Sequence, residues 1–228
     1  MTKILVVAAH PDDEVLGCGG TIARHIDKGD KVNIVILAEG VTSRDKSRNR
    51  KKRLKAINNL SLSAKKSHQI LGSKSLKIFD LPDNRMDSVN LLDIVKIIEK
   101  EVNLVKPEII YTHHISDLNI DHSITHRAVV TACRPEPKKA VKKIYCFEVP
   151  SSTDWQSVQS DKFFRPNCFI DISKTLQKKL KALKAYKSEM RPWPHSRSFK
   201  AVENLARWRG SSAGMKAAEA FIIIRDLI

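Results

Sequence analysis

Short apolar runs alternate with longer stretches whose apolar residues recur every three or four positions, and this rhythm holds along most of the chain. Residues 3–9 form an apolar run of strand length. A helical segment follows from Thr21 to about Lys28, with Gly29 as its stop. Residues 31–37 read as a second strand that empties into a polar loop over 40–53. A helix is predicted from about Leu54 to Leu71, closed by Gly72, and a short strand over 77–80. Over 87–102 the residues Leu91, Ile94, Ile97 and Ile98 share one helical face. A buried strand over 107–111 then ends in Thr112-His113-His114. Residues 121–133 are helical until Pro135 stops them. Strands are expected over 144–149 and 168–172, and a helix over 173–187 with Ser173 as its N-cap. After the Pro-rich turn at 191–195 the chain reads as helical to its end. Strands that alternate with helices imply βαβ units joined by right-handed crossovers. The fold class is therefore α/β: one Rossmann-like, three-layer domain over 1–228 with a mainly parallel sheet and a site at the carboxyl ends of its strands.

Composition narrows this picture without changing it. The 228 residues can bury a sizeable core, and 42% hydrophobic with 29% charged residues is ordinary for a globular chain. No apolar run reaches transmembrane length, and the first residues enter a strand without the pattern of a signal peptide. Cys18, Cys133, Cys146 and Cys168 form no CxxC pair, which fits reduced, mostly buried thiols and a cytoplasmic placement. The formal net charge of +16 raises the question of nucleic acid. One basic cluster, over 44–55, falls in the polar loop and reads as an arm over a site. The other, over 174–187, lies on an amphipathic helix and reads as a solvated face. Neither comes with an array of stacking aromatics, so dedicated nucleic-acid binding is not expected; an acidic small molecule accounts for the charge equally well.

The candidate chemistry sits at two strand ends. His10-Pro11-Asp12-Asp13-Glu14 follows the first strand, and residues 113–122, with His113, His114, Asp117, Asn119, Asp121 and His122, follow a later one. In a parallel sheet both ends lie on the same edge and can converge. Hydrolytic Zn²⁺ commonly takes three nitrogen or oxygen ligands and keeps a fourth position for water. His10, one of the two aspartates and His122 satisfy that count, and the other aspartate is left to accept a proton. Each piece also has a plainer reading: Asp12 and Asp13 as acidic residues opening a helix, and His122 with His126 as packing residues one turn apart.

The motif Ala9-His10-Pro11-Asp12-Asp13-Glu14, together with Asp121-His122, resembles the PIG-L/LmbE-like family of zinc-dependent N-acetyl-sugar deacetylases. The resemblance extends to Glu39-Gly40, Ile70-Leu71-Gly72, residues 81–87 and Ala218-Glu219-Ala220-Phe221, and so covers nearly the whole chain. It implies one Zn²⁺ held by His10, Asp13 and His122, with Asp12 as general base and Asp121 behind the ligands. The implied reaction is hydrolysis of an acetamido group to acetate and a free amine. Many family members carry a second His three residues before the zinc His. Here Asn119 stands there, and an amide can donate to an oxyanion but cannot act as a general acid. The proton for the amine then falls to Asp12, or to His114 or His195.

Substrate-contacting candidates are Arg44, Arg85 and Arg197, with Trp155 in a polar loop after a strand and His195 in the Pro-rich turn. The expected partner is a small N-acetyl sugar or conjugate, phosphate- or nucleotide-bearing in keeping with the basic surface. Homo-oligomeric assembly is compatible with the sequence. The rival readings are an amidase for another small N-acyl compound, such as a glycosylated thiol precursor, and a nucleotide- or nucleic-acid-binding protein without hydrolase activity. The first turn argues against a dinucleotide. It lacks G-x-G-x-x-G and puts three carboxylates where a pyrophosphate needs N–H groups.

Overall fold

The computed structural model describes residues 1–136, 141–157 and 163–228. Seven strands form one sheet in the order β3-β2-β1-β4-β5-β7-β6. In chain order these are β1 (Lys3–Ala8), β2 (Lys31–Ala38), β3 (Ser75–Leu81), β4 (Ile109–His113), β5 (Lys143–Phe147), β6 (Cys168–Asp171) and β7 (Ala218–Asp226). The helices are α1 (Asp13–Asp27), α2 (Arg50–Leu71), α3 (Leu91–Val105), α4 (Ile120–Ala132), α5 (Leu176–Leu183) and α6 (Phe199–Ser211).

The first five strands are parallel, and β1 and β2 at their centre are buried on both faces, which is why these two read as continuous apolar runs. Ile4, Val6, Ile34 and Ile36 pack with α1, α2, α5 and α6 on one side of the sheet. Leu5, Val7, Val35 and Leu37 pack with α3 and α4 on the other. The three layers thus follow from the two-residue period of the strands.

Four local expectations are revised. First, α1 begins at Asp13 rather than Thr21, so the three glycines lie inside it. They are there because the helix lies close against its neighbours: a Cβ on Gly17 would sit 2.3 Å from the Phe147 ring, and one on Gly20 2.8 Å from Ile172. The same helix is broken at Cys18, whose φ of −142° is not helical. The loose ends are captured. Glu219 accepts the N–H groups of Gly20 and Thr21 at 2.9 and 2.7 Å, and the Lys179 ammonium donates to the Leu16 carbonyl at 2.7 Å and to Glu219 at 2.6 Å. Lys179 is therefore the exception to a solvated α5 face, being only 3% exposed.

Second, the basic 44–55 cluster is not a free arm. Arg48 and Arg50 pair with buried Glu39, and Lys52 and Arg53 pair with Asp45. Third, α5 begins after Thr175, so Ser173 is not its cap. Fourth, the chain does not stay helical to its end: after α6 it forms β7, which runs antiparallel between β5 and β6. Ala218-Glu219-Ala220 favours helix locally, but Phe221-Ile222-Ile223-Ile224 favours strand, and the edges of β5 and β6 offer it partners on both sides. No helix among the described residues is long and apolar enough to cross a membrane.

Candidate active site

β1 is the point at which the sheet changes direction: β2 and β3 lie to one side of it, and β4 and β5 to the other. A crevice opens at the carboxyl ends of such neighbouring strands. His10-Pro11-Asp12-Asp13 leaves β1 at that crevice, and the segment from His113 to His122 leaves β4 beside it.

Asp13 is the hub. Its Oδ2 accepts the His10 backbone N–H at 2.9 Å and lies 3.2 Å from His10 Nδ1 and 3.1 Å from His122 Nε2. Both rings are held from behind by carboxylates. His10 Nε2 meets Asp121 Oδ2 at 2.9 Å, and Asp121 is itself fixed by the N–H groups of Asn84 and Met86 at 2.6 and 2.9 Å. His122 Nδ1 lies 3.1 Å from Asp117, which accepts the hydroxyls of Ser152 and, at 2.6 Å, Thr153. Histidines backed by carboxylates in this way have the orientation and basicity of metal ligands.

The donor set fits a divalent ion. Ligand atoms of His10, Asp13 and His122 all lie within 4.8 Å of one another. Both ring nitrogens of His122 are buried and, although close to Asp13 and Asp117, neither is in line for a hydrogen bond. A buried nitrogen of that kind normally has a partner. Two neighbouring groups, His113-Asp117-His122 and His10-Asp83-Asp121, have similar spacing. In the first, His113 Nε2 is already taken by the Ala9 N–H at 2.9 Å; in the second, Asp121 is filled by two backbone donors and His10. Both act as walls around the first group.

The electrostatics call for positive charge. Burial opposes the protonated form of His122, but Asp13 and Asp117 outweigh it and push the ring up to about 9. His10 is likewise raised, because its bonds to Asp121 and Asp13 overcome burial. Burial would raise Asp117, yet His122 and the two hydroxyls hold it at about 2. A metal entering the cluster would take the place of these protons.

Asp12 stands apart from the ligand group. Its φ of 111° is a backbone conformation that side chains rarely adopt, and Glu14 holds it there by accepting the Asp12 N–H at 3.1 Å. Glu14 is anchored in turn by His68 at 3.0 Å and Tyr186 at 2.7 Å. The Asp12 carboxyl faces a cavity of about 220 Å³ whose lining includes His10, Asp13 and His122. Burial pushes its pKa up to about 8, although the Arg197 guanidinium, 3.2 Å away, works against that rise.

The other sequence candidates divide into two groups. Arg44, Asn119 and Arg197 line the cavity. Arg44 is clamped by both oxygens of Glu189, at 3.0 and 2.8 Å. Asn119 caps α4 by accepting the Asp121 N–H at 2.9 Å, and its amide donates to Asn84 at 2.8 Å. Arg85, Trp155 and His195 are not brought to the lining. Arg85 holds the backbone carbonyls of Asp45 and Lys46 at 3.0 and 3.1 Å. Trp155, itself 54% exposed, and His195 pack edge to face at 5.4 Å, and His195 accepts the Arg197 N–H at 3.0 Å, so their link to the cavity runs through Arg197. His114, edge-on to Phe164 at 5.5 Å, is also outside it. Asp117 belongs to the ligand-rich segment after β4 and Arg191 to the Pro-rich turn, both visible in the sequence without a specific role; Asp83 follows β3, a usable signal, whereas Glu189 reaches the cavity from a distant turn and carries none.

Comparison with known proteins decides between the readings of this geometry. The model of the GlcNAc-PI de-N-acetylase (PIG-L) family matches residues 5–133, more than half of the chain. The chain belongs to the PIG-L family. As a member it is an enzyme, a hydrolytic N-deacetylase. It is 30% identical over 193 residues to the uncharacterized deacetylase YaiS of Escherichia coli K12, covering 81% of this chain and 90% of that one. It is 26% identical to a diacetylchitobiose deacetylase of Thermococcus kodakarensis, covering 95% of this chain and 81% of that one. The PIG-L scaffold also carries other chemistry. The 4-carboxy-2-hydroxymuconate hydratase of Pseudomonas putida KT2440 superposes with a TM-score of 0.76 at 22% identity, covering 100% of this chain and 98% of that one, a likeness of fold.

Proposed function

We propose that this protein uses one Zn²⁺, held by His10, Asp13 and His122, to hydrolyse the acetamido group of a small N-acetylated amino sugar or sugar conjugate. The observation that carries the reading is the division of labour at the turn after β1: Asp13 lies among the ligand group, whereas Asp12, beside it, is turned away into the cavity. The ion would supply Lewis acidity and a water acidic enough to lose its proton near neutral pH.

The chain's own residues do the rest. Asp12, ionised, accepts the proton of the attacking water from a buried position where no bulk water competes. Arg197 steadies that carboxylate at 3.2 Å and brings a positive charge to the wall where negative charge develops on the carbonyl oxygen. Asn119 has no proton to give, and neither His114 nor His195 lines the cavity, so Asp12 returns its proton to the departing amine. Burial, which favours its protonated form, suits a group that must carry a proton between two steps.

The cavity is below the usual range of about 300–1,000 Å³ for ligand pockets, so it encloses the acetamido end and leaves the remainder of the substrate toward the rim. Of the arginines along the lining, Arg44 is paired with Glu189 and Arg197 with Asp12, which leaves Arg191 to favour an anionic substituent there. The test is acetate release from a panel of N-acetyl sugars, free and phosphate-, nucleotide- or carboxylate-bearing, together with zinc content. Acetate release that needs stoichiometric zinc and is fastest with an anionic conjugate supports the reading. Water addition to an unsaturated acid with no acetate release would move the chain to the reaction named for its hydratase relative.

A further inference from the structure

The positive charge of this chain is unevenly placed. Between Lys46 and Phe79 there is no acidic residue, nor between Ile172 and Ser188. These segments contain α2 and α5, which pack side by side on one face of the sheet. Arg50, Lys52, Arg53, Lys178 and Lys179 are neutralised by ion pairs. Among the described residues, the exposed lysines Lys51, Lys55, Lys65 and Lys66 of α2 make no ion pair, and neither do Lys174, Lys181, Lys184 and Lys187 on and beside α5. The result is a face of one sign rather than the mixed surface that a merely soluble helix pair requires.

The α2 part of this face is also apolar in a particular way. With 100° per residue, Lys51, Lys55, Leu62, Lys65 and Lys66 fall on one outward stripe, and Leu54 lies at its edge. Leu54 and Leu62 are 54% and 61% exposed. The helix has 22 residues, a rod of about 33 Å. Leucines standing among lysines on a helix lying flat are the features of an interfacial helix, in which apolar side chains enter the acyl boundary while cations meet anionic headgroups. Polynucleotide binding would call for stacking aromatics or a groove, and this stripe has neither.

The face leads to the active site. The loop before α2 brings Ser43 and Arg44 to the cavity, and the turn after α5 brings Glu189 and Arg191. The Arg44–Glu189 pair ties the two approaches together at its rim. We propose that the α2–α5 face docks on an anionic membrane surface, holding the cavity mouth close to the headgroups. The proposal rests on the charge and exposure of these helices and is independent of the reaction assigned to the cavity.

The experiment is sedimentation of the full-length protein with vesicles of phosphatidylcholine alone or mixed with phosphatidylglycerol, at low and high salt. Expected is binding to the mixed vesicles only, weakened by salt, reduced at least about tenfold in the K65E/K66E/K181E variant and several-fold in Leu62→Ser. Thermal melting of both variants and their turnover of a soluble substrate should match the parent, which separates docking from folding and from catalysis. Equal binding to both vesicle types, or undiminished binding by the charge-reversed variant, overturns the proposal. A duplex oligonucleotide that binds more tightly than the mixed vesicles, and loses that affinity in K65E/K66E/K181E, would also overturn it and assign the face to nucleic acid.

Discussion

Two regions build this active site, and they are built differently. The strand ends of β1 and β4 supply His10, Asp12, Asp13 and His122, each buried and fixed by backbone donors or a second carboxylate. The segments that follow β5 and α5 supply Arg191 and Arg197 on turns, with the Trp155–His195 pair packed outside the lining. The first region lies within the stretch matched by the family model, and the second lies beyond it. Rigid strand ends suit groups that must act within a fraction of an ångström, whereas turns can change length and composition without disturbing the sheet. On the proposed mechanism the first region carries the ligands and the base, and the second tunes the base through Arg197 and shapes the approach of the substrate.

The sharpest way to break that comparison is Asp12→Asn. It should lower kcat by about 10²–10⁴-fold while zinc content, measured by elemental analysis, stays stoichiometric. Lost zinc would place Asp12 among the ligands after all. Next is Asp121→Asn, which removes the anionic support behind His10. Zinc affinity or activity should fall by about 10–100-fold, read by competition with a chelator.

Arg197→Gln crosses between the two regions and should show both effects. KM should rise, and the acid limb of the kcat/KM profile should move to higher pH. The sign follows from the charges: as the proposed base Asp12 works ionised, so activity is expected above its pKa and lost as pH falls through it. Arg197 opposes the burial that raises that pKa to about 8, and its removal lets the pKa rise further. A bound metal lowers the value in both proteins, so the difference between their profiles is the quantity to measure. The smallest effect belongs to Trp155→Ala, a two- to fivefold rise in KM with kcat unchanged, since Trp155 supports the wall through His195 without lining the cavity (about 0.4–1 kcal/mol).

Legibility in the sequence followed the same division. The continuous apolar runs of β1 and β2 and the charged residues directly after β1 announced a parallel sheet with a site at its edge, because strand period and strand end are local properties. Asp12 and Asp13 are visible as a pair, but their different partners depend on the φ of Asp12 and on Glu14, His68 and Tyr186, which meet only in the folded chain. β7 was read as helix because its pairing partners lie far away in sequence. Arg85 looked like a substrate ligand by residue type alone, and its backbone partners Asp45 and Lys46 belong to a loop whose path no periodicity reports.

The break in α1 carries a consequence for how this enzyme can be cut or joined. The half-helix that opens with Asp13 ends at Cys18, and the open backbone on either side is closed by Lys179 and Glu219, more than 150 positions further along. The last strand thus works as a clasp on the first helix, behind the very residues that face the reaction. A fragment ending near residue 133 would carry the whole ligand set and yet leave that clasp undone. Shortening, fusing or permuting this chain is therefore safest where β7 keeps its place between β5 and β6.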